Sequence, residues 1–99
     1  MTPAAFKRSL SQSAPPKPLA PALQALWWVK KGDWHRAHRI VMDETSPEAA
    51  WVHAHLHRVE GDEANARYWY RQARRRPARG ALDAEWQAIA ASLVAGQRR

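Results

Sequence analysis

At 99 residues the chain is long enough for one domain and too short for two. It has no cysteine, which excludes a disulfide framework, a thiolate nucleophile and any thiolate metal site. Six tryptophans offer large apolar side chains to a core that must be built from few residues, and a formal net charge of +7 directs attention to anionic partners.

Residues 1–18 hold Pro3, Pro15, Pro16 and Pro18 among Ser9, Ser11 and Ser13. Proline removes backbone donors, and the segment has few apolar anchors, so it reads as a disordered basic tail. Within it, Ala14-Pro15-Pro16-Lys17-Pro18 reads as a linker or a short polyproline ligand. A single α-helical domain is expected over residues 19–97.

The first helix is expected from Leu19 to Lys31, with Leu19, Leu23, Leu26 and Trp27 as its apolar stripe and Gly32 as its stop. Asp33 restarts the chain as a helix cap. Trp34, Ala37, His38 and Val41 follow at helical spacing, and this second helix fades near Met42. Ser46-Pro47-Glu48 is a start signal for a third helix, Pro47 to Glu60, whose stripe is Val52, Leu56 and Val59. Gly61 ends it and Asp62 opens a fourth, to Arg76, carrying Ala66, Trp69, Tyr70 and Ala73 on one face. Pro77 and Gly80 break the chain before a fifth, Asp83 to Ala95, with Leu82, Trp86, Ile89 and Leu93 as its stripe.

Gly32-Asp33 and Gly61-Asp62 stand in the same context, each followed by an alanine (Ala37, Ala66) and, four residues on, a large apolar side chain (Val41, Tyr70). Together with Ala25, Ala54, Ala73 and Pro77 this resembles the tetratricopeptide repeat, in which a small residue lets the second helix approach the first. The copies depart from the family pattern in their short spacing, in Glu44 where a later alanine belongs, and in early prolines. The strings Leu26-Trp27-Trp28, Lys31-Gly32-Asp33-Trp34 and Asn65-Ala66-Arg67-Tyr68-Trp69-Tyr70-Arg71 are also similar to those of a group of short bacterial proteins, a likeness that implies no activity. The resemblance implies an all-α fold: two antiparallel TPR-like hairpins plus a C-terminal capping helix. Two hairpins are fewer than the three repeats usually needed, so the tryptophans, the last helix or a homodimer must compensate; monomer and homodimer both stay open.

His53 and His57 share a helical face, with Glu60 a turn further on. Two imidazoles at i, i+4 and a carboxylate can hold zinc or nickel. The zincin motif needs glutamate after its first histidine and Ala54 stands there, so no general base is in place. Packing is the first reading of these histidines and a metal site the alternative, with His35 or His38 placed to join from the second helix. Arg67, Arg71, Arg74 and Arg75 fall along one broad face of a block that continues through Arg76 and Arg79, with Tyr68 beside it. Such a block tracks phosphates, pairs with acidic peptides or is simply solvated; arginine and alanine excess is also what GC-rich codon usage produces.

There is no glycine-rich phosphate loop and no nucleophile elbow, so a non-enzymatic protein without cofactor is expected. The leading expectation is a protein- or peptide-binding module, adaptor-like, with a groove lined by Trp28, His53 and His57 and with Tyr68 exposed. Nucleic-acid binding through the arginine face and histidine-based metal binding are the alternatives. No apolar run of about 20 residues and no signal-like N-terminus is seen, so the expected location is cytoplasmic, without a membrane partner.

Overall fold

Most helices begin where the sequence supplies a cap or an N-terminal proline. In the computed structural model, which describes residues 1–97, α1 (Pro3–Arg8) starts behind Thr2, whose Oγ1 accepts from Ala5 N at 3.0 Å. α2 (Pro21–Lys30) opens on a proline, where the missing N–H has no helical partner to lose. α3 (Trp34–Val41), α4 (Pro47–Val59) and α5 (Glu63–Ala73) are capped by Asp33, Ser46 and Asp62, each accepting from the amide three residues on. α6 (Leu82–Gln97) is the last of the described helices, and a short 3-10 turn, Ser9–Ser11, follows α1. Among the described residues there is no strand, and no helix is long and apolar enough to cross a membrane.

Two turns are built alike. Asp33 N donates to Trp28 O at 3.0 Å and Gly32 N to Val29 O at 3.0 Å; Asp62 N donates to His57 O at 2.8 Å and Gly61 N to Arg58 O at 3.0 Å. This double bond to the end of the preceding helix needs a left-handed residue, and Gly32 and Gly61 supply it at φ +90 and +85. From Gly32 to Gly61 the pattern advances 29 residues, and side chains follow it. Ala25 and Ala54, Ala37 and Ala66, and Val41 and Tyr70 occupy matching places and are all buried. The alanines bring α3 against α2 and α5 against α4 with little side chain between.

α4 is the central element. Every residue from Ala49 to His57 is buried, although the sequence there is rich in histidine and alanine. A helix enclosed on all sides has no polar face to show; α3, α5, α6 and α2 all pack on it. The expected apolar stripe is therefore only part of what it buries, and Val59 at its C-terminal end is exposed.

Residues 1–18 are not a disordered tail. Phe6 is fully buried, stacked on Trp86 of α6 with ring centroids 5.7 Å apart, and Ser9 Oγ accepts from Trp27 Nε1 at 3.0 Å. One buried phenylalanine contributes about 1.5–3 kcal/mol and acts together with the Thr2 cap and the Ser9–Trp27 bond to anchor the segment. α6 lies against α1, α2 and α4, and Trp86 Nε1 donates to Leu26 O at 2.8 Å. The helix thus packs on the N-terminal segment, α2 and α4 together. Helix limits otherwise agree with expectation to a residue or two, except that α5 stops at Ala73 because Arg74 turns left-handed at φ 59.

Candidate functional site

The arginine block sits where α5 ends and the chain crosses to α6. Arg74, Arg75, Arg76 and Arg79, with Trp51 and Glu85, line a cleft of about 530 Å³. The Arg75 guanidinium stacks on the Trp51 ring at 3.4 Å from its centroid, which fixes one cation against an apolar wall. All four arginines are exposed, and among the described residues none lies within ion-pair distance of a carboxylate. No acidic residue occurs between Glu63 and Asp83 to offset them. Arg67 and Arg71, expected on the same face, are exposed on α5 but do not line this cleft.

Glu85, the one acid in the cleft wall, is already fully engaged. Its Oε1 accepts from His55 Nδ1 at 2.7 Å and Arg58 Nη1 at 2.8 Å, and its Oε2 from the Tyr70 hydroxyl. Burial pushes this carboxyl up, but the hydrogen bonds from His55, Tyr70 and Arg58 outweigh it and hold it below its ordinary value. Burial and the neighbouring carboxylate push the Tyr70 phenol up in turn, so it stays a donor. Glu85 thus ties α6 to α4 and α5 and leaves little negative charge to answer the arginines. Sequence reasoning missed it: partners 15 to 30 residues away along the chain leave no local pattern.

The histidines divide by face. His55 turns to Glu85, whereas His53 and His57 meet His38 of α3, so that one ring nitrogen of each of the three lies within 4.8 Å of the others. His53 Nε2 and His38 Nε2 are 3.1 Å apart, and Trp34 and Trp69 stack on His38 and His53 at 4.9 and 3.9 Å between centroids. Burial, then the nearness of His38 and His57, lowers His53 to about 4, so its ring is neutral at pH 7. Glu60 stands behind His57, its Oε1 2.6 Å from Nδ1, as a hydrogen-bond partner.

The groove expected from Trp28, His53 and His57 is not what the chain forms. His53 and His57 are buried, 3% and 7% exposed, between α3, α4 and α5. Trp28 is half-buried against Trp27, and the Arg36 guanidinium covers its ring at 3.9 Å. A buried histidine and a groove histidine have the same sequence signature, because α4 is enclosed by helices that its own periodicity does not report. Tyr68 is exposed, as expected, and with Met42, Trp69 and Gln72 lines a separate cleft of about 340 Å³. No family model, curated protein or solved structure matches the chain.

Proposed function

We propose that the protein is a small non-enzymatic binding module, made of two tetratricopeptide-like hairpins sealed by α6, which takes an acidic segment of a partner protein into the cleft of Arg74, Arg75, Arg76 and Arg79. The observation that carries this is the concentration of four uncompensated guanidinium groups around one concave surface with a tryptophan wall. Arginine forks match carboxylates bidentately, and the Arg75–Trp51 stack holds one donor ready without loss of rotamer freedom on binding. The repeated turns at Gly32-Asp33 and Gly61-Asp62, with alanines and large apolar residues at matching places, support the hairpin reading.

Nucleic acid is the second reading, favoured by the same charge and by the exposed Tyr68. Its phosphates meet arginine equally well, but stacking of bases needs exposed aromatic faces, and Trp51 already carries Arg75. Fluorescence anisotropy with a labelled glutamate-rich peptide and a labelled single-stranded oligonucleotide separates the two. Saturable peptide binding, weakened at least tenfold in Arg74→Ala/Arg76→Ala/Arg79→Ala, is the expected result. Preferential oligonucleotide binding with a steep log–log salt dependence overturns the protein-partner reading.

A further inference from the structure

Three imidazoles from two helices converge, and one of them, His53, is left with its hydrogen bonding incomplete. His53 Nε2 faces His38 Nε2 at 3.1 Å, and His53 Nδ1 is buried with no hydrogen-bond partner among the described residues. A neutral imidazole has one N–H and one lone pair, so no tautomer of His53 completes its bonding in this setting. The Nε2–Nε2 approach carries the argument: between two neutral rings it is a single N–H···N bond, and with that proton replaced by a cation both lone pairs point into the same space.

The geometry is that of a metal-ligand set. A tetrahedral zinc bound at about 2.0–2.1 Å places its nitrogen ligands about 3.3–3.4 Å apart. The His38–His53 pair is close to this spacing already, and one ring nitrogen of His57 lies within 4.8 Å of both. Glu60 takes the Nδ1–H of His57 at 2.6 Å, which leaves Nε2 as that ring's bare nitrogen. A carboxylate behind a ligating histidine fixes its tautomer and raises its basicity. Trp34 and Trp69, stacked on His38 and His53, hold those two rings in plane. The alternative grouping of His57, Glu60 and Asp62 is weaker, because both Asp62 oxygens already accept from Asn65.

We propose that His38, His53 and His57 form a three-histidine site for a zinc-class divalent cation, with Glu60 as the positioning residue behind His57. The fourth coordination position falls to water. Half-buried His38 gives the ion its way in. Occupied, the site joins α3 of the first hairpin to α4 of the second.

The test uses the full chain without an affinity tag, stripped with chelator and titrated with zinc chloride by calorimetry. One zinc per chain is expected, with a melting temperature that climbs with zinc concentration. His38→Gln and His57→Gln are expected to weaken binding at least tenfold, Glu60→Gln about 10–100-fold, and exposed His35→Gln not at all. Should a histidine variant fail to fold, cobalt(II) on the wild-type chain decides. An intense visible spectrum of tetrahedral nitrogen ligation supports the site. A pale octahedral spectrum, no heat with zinc, or zinc binding that survives His38→Gln overturns it.

Discussion

Glu85 shows how one residue can hold three helices. It is 7% exposed on α6, yet accepts from His55 and Arg58 of α4 and Tyr70 of α5. Removing one member of a buried charged network leaves the others unpaired, which costs about 3–5 kcal/mol. Glu85→Ala is therefore expected to lower stability by about that amount, read from the urea midpoint at unchanged slope. A loss below about 1 kcal/mol contradicts this role. The sign of the pH effect follows from the depressed carboxyl. Its stabilisation is complete above the ordinary value of 4.5 and is lost as pH falls through the lower folded value. Acid unfolding of the wild type is expected below about pH 4.5 and to be less steep in Glu85→Gln; equal profiles in the two contradict it.

At the scale of elements, the starts and stops were legible in the sequence because they are local chemistry. Asp33, Ser46 and Asp62 cap the three helices that follow them, and Gly32 and Gly61 take the left-handed turns. What could not be read was which elements meet. The N-terminal segment looks unstructured for want of apolar residues, yet the one aromatic it has, Phe6, reaches a long-range partner in Trp86. Phe6→Ala is expected to cost about 3–5 kcal/mol, seen as a fall in melting temperature. A change under about 1 kcal/mol would mean that the segment contributes nothing to the core. Gly61→Ala, which forces a Cβ into a left-handed turn, is expected to cost about 1 kcal/mol; an unchanged urea midpoint contradicts the turn's role.

The whole molecule has a radius of gyration of 12.3 Å, against about 13 Å for a compact chain of 100 residues. α6 packs on α1, α2 and α4, which makes the N-terminal segment part of the same compact body. The arginine block was visible in the sequence as composition, but the cleft was not. It depends on the left-handed Arg74 and on Trp51, some twenty residues away along the chain. The histidines were visible as a pair on one helix, with His35 or His38 as candidates to join it; the packing of α3 on α4 brings in His38 and leaves His35 exposed.

The proposed role of the arginine cleft is to hold a protein partner. The most direct measurement is tag-free capture from a lysate of the native host, comparing the wild type with Arg74→Ala/Arg76→Ala/Arg79→Ala and eluting both with a salt gradient. The expected result is a discrete protein with an acidic segment, released from the wild type at moderate salt and absent from the variant. Bulk nucleic acid released in proportion to salt, or the same proteins on both baits, would contradict it.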